Sequence, residues 1–277
     1  MSGAAASGRR WRSVRAVVRK DLTVALASKA VTVPFVVVPV LFMLVLPLGV
    51  ALLAPVVADE AGAVAELLET FSPTLLASLE GLNDAQRVVV VGIVYMLAPL
   101  YLVVPLMVAS VLAADSFAGE KERKTLEVLV YSPLSDADLV LAKMLSAWLP
   151  AVGIGLGAFV VYAVTANAAA WPVMGRLFVP TAMWLVLLAW VMPAAAALGL
   201  GASVIVSARV STFQEAYQLG GIVVLPVVAL VAAQALGVIY LSVWLVAALG
   251  LVLWLAAASL LWVGARSLRR TELIARL

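Results

Sequence analysis

The residues of this sequence that could do chemistry lie in one short charged run, Gly119-Glu-Lys-Glu-Arg-Lys-Thr125. The glycine, lysine and threonine of the run faintly resemble a phosphate-binding loop. Such a loop needs a second glycine and a preceding β-strand, which let backbone N–H groups surround a phosphate. The run has neither, so we expect no nucleotide or other cofactor to bind to this chain directly.

The same run contains two closely spaced carboxylates, Glu120 and Glu122, beside Arg123. Acidic groups near a membrane raise the question of an intramembrane protease or another acid–base enzyme. The sequence has no His and no Cys, and His is the commonest general base and the commonest metal ligand. The composition therefore argues against a zinc site, a histidine-dependent protease and a Ser-His-Asp hydrolase. We expect no catalytic or metal-binding residue.

A second pattern, Gly153-Ile-Gly155-Leu-Gly157, resembles part of a dinucleotide-binding fingerprint but lies within an apolar run. Glycines four residues apart on a membrane-spanning helix let a neighbouring helix approach closely. We therefore assign Gly153 and Gly157 to helix packing.

The elements that must position these residues are membrane-spanning helices. Hydrophobic residues make up 65% of the 277 residues and charged residues only 12%, whereas soluble domains average about 45–50% and about 25%. A chain of this composition cannot cover its surface with polar groups. Lipid must therefore solvate part of it.

Uncharged runs of sufficient length predict where the chain crosses the membrane, since about 20 apolar residues span the hydrocarbon core. Four runs are each long enough for one crossing, and a fifth, from 216 to 265, is long enough for two. We expect that fifth run to turn near Gln234 and Gly237. The sequence thus predicts an all-α membrane protein with a single transmembrane domain over 1–277. Its six predicted spans are 30–58, 88–114, 144–170, 177–206, 214–234 and 239–264.

The distribution of basic residues predicts the orientation, because Lys and Arg are enriched in cytoplasmic loops. With the N-terminus inside, 16 of the 18 basic residues lie on the cytoplasmic side, and only Arg87 and Arg176 lie outside. We expect a multi-pass protein of the plasma membrane with both termini cytoplasmic, an external segment over 59–87 and a cytoplasmic tail over 265–277. The net charge of +3 then reflects topology, and no nucleic-acid partner is expected.

The segment 9–29 has the pattern of an amphipathic helix at the inner surface of the membrane. Its apolar residues recur at spacings of three and four, and basic residues occupy the remaining surface. The apolar stripe consists of Trp11, Val14, Val18, Leu22 and Leu26. Such a helix anchors the first span, contacts a partner, or does both.

The predicted cytoplasmic segment 115–143 combines a short surface helix, a sharp corner and the start of the third span. One face of the short helix would carry Leu126, Leu129 and Val130, and the charged residues would lie elsewhere. Pro133 ends this helix, and Ser135 has the position of an N-cap for the third span. A movement of the surface helix would therefore be passed to the third span.

Three stretches of the sequence resemble the permeases of ABC-2 type exporters, in matched order and over nearly the whole chain. They are Arg19-Lys20-Asp21-Leu22, then Phe117-Ala-Gly-Glu-Lys-Glu-Arg-Lys-Thr-Leu-Glu127 with Ser132-Pro-Leu-Ser135 and Lys143, and finally Ser207-Ala-Arg-Val-Ser-Thr-Phe-Gln-Glu-Ala-Tyr-Gln-Leu-Gly-Gly221. Lys124 departs from the family pattern, which usually has glycine there.

The resemblance implies a fold like that of type V exporters, in which two permease copies, identical or different, dock on two copies of a separate ABC-type ATPase. That ATPase, not this chain, would bind ATP and magnesium. The resemblance assigns coupling to Glu120, Glu122, Arg123, Thr125 and Glu127. It assigns contact through the interface helix to Arg15, Arg19, Lys20 and Asp21. Without it, the charged loop would be interpreted as a solvated stretch that follows the positive-inside bias.

Two alternatives belong to other classes. An ion-coupled secondary transporter or channel acts without an ATPase and needs charged groups inside the membrane, whereas the pattern places them in loops. An intramembrane enzyme needs clustered acidic groups or His at one membrane face. The largely apolar spans favour a hydrophobic or amphiphilic substrate without identifying it.

Overall fold

The computed structural model describes residues 29–60, 73–123 and 136–267, together with residues 15, 18–20, 23, 62 and 64. Over these residues the chain is helical and contains no β-strand. Six helices are long and apolar enough to cross a membrane, so the predicted all-α class and number of spans are confirmed. We number them spans 1 to 6 in chain order.

Each span is one helix or several consecutive helical segments. Span 1 comprises Lys29–Pro39, Val40–Val45 and Leu46–Asp59. Span 2 comprises Asp84–Val89, Val90–Met96, Ala98–Tyr101, Val103–Ala114, Asp115–Gly119 and Glu120–Glu122. Span 3 is Asp136–Ala169, and span 4 comprises Ala182–Val186, Leu187–Val191 and Met192–Ser207. Span 5 comprises Phe213–Gly220, Gly221–Val224 and Leu225–Ala235, and span 6 is Val243–Ser267. Two short helices, Pro73–Ser78 and Trp171–Met174, lie in the connections before spans 2 and 4.

Four of these segments in the described part of the chain are π-helical, and three of them end shortly before a proline. They are Val40–Val45 before Pro47, Val90–Met96 before Pro99, Leu187–Val191 before Pro193, and Asp115–Gly119, which has no proline after it. Proline lacks an N–H donor and crowds the carbonyl four residues earlier. A wider turn before the proline accommodates this defect. The segment at Asp115–Gly119 needs another explanation, and π turns are frequent at functional sites.

Backbone carbonyls of the first π segment in span 2, Val90–Met96, accept hydrogen bonds from the neighbouring spans. Trp184 of span 4 donates to the Val94 carbonyl at 3.0 Å, and Gln234 of span 5 donates to the Tyr95 carbonyl at 3.2 Å. The Tyr162 hydroxyl of span 3 donates to the Ile93 carbonyl, and its ring stacks on Trp184 at 4.7 Å between centroids. Span 2 is therefore bonded to three other spans through one irregular turn.

Spans 2 and 4 form the centre of the bundle and are its most buried helices. Small residues of span 4 bring the backbones close together, as expected for helices in lipid. A side-chain carbon built at Gly199 would lie 2.4 Å from the Leu106 carbonyl oxygen of span 2, and one at Gly201 would lie 2.9 Å from Leu260 of span 6. Spans 1, 5 and 6 lie at the periphery with much of their apolar surface exposed.

The helices of spans 2 and 3 extend into the predicted segment 115–143. The helix of span 2 continues to Glu122, and that of span 3 begins at Asp136. Asp115, Glu120 and Lys143 lie in these extensions, where they are buried with polar partners. The cytoplasmic position of the segment 115–143 stays a prediction. The predicted surface stripe at Leu126, Leu129 and Val130 and the cap at Ser135 lie outside the described residues.

Candidate functional site

Charged side chains from the N-terminal segment and from spans 2 and 3 meet at one end of the bundle. This is the end where spans 2 and 4 finish and where spans 3 and 5 begin, because consecutive spans run in opposite directions. We call these side chains the charged cluster. It consists of Lys20, Asp115, Glu120, Lys121, Glu122, Arg123 and Lys143.

Glu120 occupies the centre of the charged cluster. Its carboxylate accepts one hydrogen bond from Lys143 at 2.6 Å and another from Lys20 at 2.5 Å. The side chains of Glu120 and Lys143 are 5% and 4% exposed, whereas that of Lys20 is 50% exposed. Because a desolvated charge costs several kcal/mol unless it is paired, Glu120 and Lys143 hold each other in place. The Glu120 carboxylate thereby joins the N-terminal segment to spans 2 and 3.

Lys143 also binds the second π segment of span 2, Asp115–Gly119. Its ammonium donates to the Ser116 carbonyl at 2.7 Å and to the Ser116 hydroxyl at 3.2 Å, and it lies 5.2 Å from the centre of the Phe117 ring. With Glu120, these bonds use the three donors of an ammonium group. Span 3 is therefore bonded to span 2 by a buried cation that contacts both the backbone and a carboxylate.

Lys121 and Glu122 connect span 2 to the chain between spans 4 and 5. The Lys121 ammonium donates to the Val210 carbonyl at 2.9 Å. The Glu122 carboxylate accepts from the Phe213 N–H at 2.8 Å, at the first residue of span 5. An acidic group there is favourable because the first N–H groups of a helix have no partner within it. Glu122 thus fixes the start of span 5.

Arg123 folds back onto span 2 and pairs with Asp115 at 3.1 Å. Gly119 makes this possible. A side-chain carbon there would lie 2.9 Å from the Asp115 carboxylate and 3.1 Å from the Arg123 guanidinium. A larger residue at position 119 would therefore disturb the pair.

At the opposite end of the bundle, neutral polar side chains form a helix cap and a contact between two hydroxyls. Asn83 and Gln86 form a reciprocal cap at the start of span 2. The hydroxyls of Tyr95 and Tyr240 lie 3.3 Å apart. Burial, with a smaller contribution from the Tyr95 hydrogen bond, raises the pKa of Tyr240 to about 12.

The structure brings together some of the residues that the sequence assigned to coupling. Glu120, Glu122 and Arg123 belong to the charged cluster, as does Lys20 of the predicted interface helix. Arg15 and Arg19 have exposed side chains. Thr125, Glu127 and Asp21 lie outside the described residues. Contact of any of these residues with an ATPase stays a prediction.

Sequence reasoning gave no role to Lys143, Asp115 or Lys121. Lys143 was placed at the end of a loop, although it follows the start of a long apolar run that contains no other basic residue before Arg176. An isolated ionisable residue at the edge of such a run is itself a signal of a buried partner. Its partner Glu120 is 23 residues away in sequence, which no periodicity reveals.

Gly153 and Gly157 lie on the outward face of span 3. A side-chain carbon at either position would meet no described atom within 4 Å, whereas one at Gly155 would lie 3.2 Å from Met192 of span 4. Within the described chain, the close approach to span 3 therefore occurs at Gly155. Packing of another molecule against Gly153 and Gly157 stays a prediction.

The six apolar helices define a multi-pass membrane protein, and the charged cluster at one end connects its spans. Residues 15–243 match the family described as ABC-2 family transporter protein, and the chain belongs to that family. It is a transmembrane permease of the ABC transporter class. No curated protein matches the sequence. Among the described residues, no three acidic side chains come together as ligands for a metal ion.

Proposed function

We propose that this chain is the membrane-spanning subunit of an ATP-driven exporter and pairs with a second permease copy in the plasma membrane. A separate ABC-type ATPase would bind ATP and magnesium and supply the energy. The family supports the permease role. The basic bias of the sequence supports cytoplasmic termini and a cytoplasmic position for the charged cluster.

The observation that carries the coupling role is that three consecutive residues bond to different parts of the chain. Glu120 bonds to Lys20 and Lys143, Lys121 bonds to the Val210 carbonyl, and Glu122 bonds to the start of span 5. A displacement of the N-terminal segment is therefore passed to spans 2, 3 and 5 together. Few loop residues intervene that could absorb it.

The solvent-facing part of the charged cluster suits an ATPase surface. Lys20 is 50% exposed and Arg123 is 46% exposed, and Arg15 and Arg19 are also exposed. These basic groups present positive charge toward a partner, while the carboxylates that anchor Lys20 and Arg123 are buried. We propose that the ATPase contributes acidic groups to this contact.

Co-purification of the tagged chain with a candidate ABC-type ATPase, followed by ATPase and transport assays in lipid, tests the proposal. Glu122→Ala removes the bond to span 5 at an exposed position. We expect an intact complex whose transport per ATP hydrolysed falls about tenfold. The matched control is Glu215→Ala, because Glu215, in the first turn of span 5, accepts only from the Ser211 N–H of the adjoining connection among the bonds described. Equal transport by both variants would remove Glu122 from the coupling path.

One observation favours a second function. Glu120 and Lys143 form a buried ion pair within the helices of spans 2 and 3, and intramembrane ion pairs occur in ion-coupled transporters. In that case the chain alone, in liposomes without ATPase or ATP, would drive solute movement with a proton or cation gradient. Glu120→Gln would abolish that movement. If no gradient drives a flux, this second function is excluded and the exporter function is retained.

A further inference from the structure

An apolar cavity of about 500 Å³ lies between span 1 and the first half of span 2. It follows span 1 from Val45 to Val57 and span 2 from Arg87 to Met96. Sites that bind small molecules have volumes of about 300–1,000 Å³. The cavity is therefore large enough to hold a ligand.

The length of the cavity matches one leaflet of a bilayer. At about 1.5 Å per residue, the helix from Val45 to Val57 is about 18 Å long, which is slightly more than half of the roughly 30 Å hydrocarbon core. The cavity begins at Arg87, near the end of the bundle opposite the charged cluster, and runs inward. An extended acyl chain of a lipid in that leaflet has this length and direction.

Two glycines shape the cavity. Gly49 lines the cavity, and a side-chain carbon there would meet no described atom within 4 Å. Gly92 lies across from it, where a side-chain carbon would come 2.6 Å from Val50 and push span 1 away. Gly92 therefore keeps the two helices close at one point, and Gly49 leaves the neighbouring space open.

Arg87 supplies a positive charge at the polar end of the cavity. One guanidinium nitrogen donates to Asp84 at 3.1 Å, while the Nε is buried and has no acceptor among the described residues. Arg87 also lines a second cavity of about 320 Å³ against the helix Pro73–Ser78. A buried donor without an acceptor is unfavourable. An anionic oxygen in this position would correct it.

We propose that this cavity binds a membrane phospholipid, with one acyl chain between spans 1 and 2 and the phosphate at Arg87. The apolar walls match the chain, and the guanidinium matches the phosphate, since Arg pairs with phosphate through charge-assisted hydrogen bonds. The second cavity leaves room for the rest of the headgroup. The proposal rests on this geometry and is independent of ATP-driven export.

Photo-crosslinking of the full-length chain in detergent micelles tests the proposal. The two probes are phosphatidic acid and the matching diacylglycerol, each with a diazirine on its acyl chain. We expect both segments, 45–57 and 87–96, to be labelled about two- to fivefold more by the phosphate probe, because a partly exposed charge pair contributes up to about a factor of five. Arg87→Gln should abolish this preference, and Arg87→Lys should retain part of it.

Gly49→Phe tests the acyl-chain site separately, because its side chain would project into the cavity. Labelling of both segments by both probes should fall at least fivefold. Leu52→Phe is the matched control on the lipid-facing side of span 1, and Arg176→Gln is the control for loss of an exposed arginine; both should label normally. Three outcomes would each overturn the proposal. The first is equal labelling by the two probes, and the second is labelling that Gly49→Phe does not reduce. The third is crosslinking to a second copy of the chain in place of lipid.

Discussion

At the scale of single residues, the buried pair of Glu120 and Lys143 joins span 2 to span 3. Each side chain is almost completely removed from solvent. Loss of Glu120 would remove the carboxylate that pairs with Lys143, and loss of Lys143 would leave Glu120 with the half-exposed Lys20. We expect Lys143→Met to reduce the free energy of unfolding by about 3–5 kcal/mol, the usual cost of breaking a buried pair. Thermal unfolding in detergent measures this loss.

The double variant distinguishes pairing from simple burial. Glu120→Gln combined with Lys143→Met removes both charges, so it should recover most of the lost stability. The exposed pair of Asp84 and Arg87 provides the comparison, and Asp84→Asn should cost at most about 1 kcal/mol. A double variant as unstable as Lys143→Met would contradict the pairing explanation.

Gly119 gives a second prediction at this scale. Gly119→Ala places a carbon within about 3 Å of both Asp115 and Arg123 and should separate that pair. The expected result is a loss of stability, although alanine is favoured over glycine in a helix by about 1 kcal/mol. Gly153→Ala is the control, since that position is open and only the gain should appear. Equal gains in the two melting temperatures would show that Gly119 has no steric role.

The sequence identified part of the charged cluster but not its geometry. Glu120, Glu122 and Arg123 were singled out because they are dense, charged and similar to a family motif. Lys143 belongs to the same family motif but was given no role, because its partner is distant in sequence and its burial depends on how span 3 packs against span 2. Local periodicity carries no information on such a contact.

At the scale of the helix, contact between spans 2 and 4 depends on a residue with no side chain. A methyl group at Gly199 would lie 2.4 Å from the Leu106 carbonyl oxygen and 2.8 Å from the Ser110 hydroxyl. We expect Gly199→Ala to force the spans apart and cost about 1–3 kcal/mol, as overpacking does. Gly157→Ala, on the open face of span 3, should not. Indistinguishable unfolding of the two variants in detergent would contradict close packing at Gly199.

The helices themselves could be predicted, but several of their ends could not. Six spans follow from the length of apolar runs, since lipid requires each crossing to satisfy its own backbone. The end of span 2 was placed before Asp115 because a charge in an apolar run looks like a boundary. In the helix that continues, Arg123 pairs with Asp115, which is eight residues earlier, and Lys143 of span 3 pairs with Glu120. The second of these pairs is a tertiary contact.

At the scale of the whole molecule, the orientation is open to a direct test because the chain contains no cysteine. Arg176 and Arg209 both have exposed side chains and lie in the connections at opposite ends of span 4. We expect Arg176→Cys to react with a membrane-impermeant maleimide in intact cells, and Arg209→Cys to react only after the membrane is opened. The positive-inside bias is the reason. The reverse labelling would place the charged cluster outside the cell.

The π turn at Asp115–Gly119 sets the direction, around the helix axis, in which the side chains after it point. Each residue of an α-helix advances the direction of its side chain by about 100°. Deleting one residue from this turn would leave Glu120, Lys121 and Glu122 in the sequence but rotate them by about that angle, away from Lys143 and Phe213. A related chain could therefore share the whole charged motif and still lack its contacts with spans 3 and 5. The phase of the helix, as well as its composition, decides which spans the motif connects.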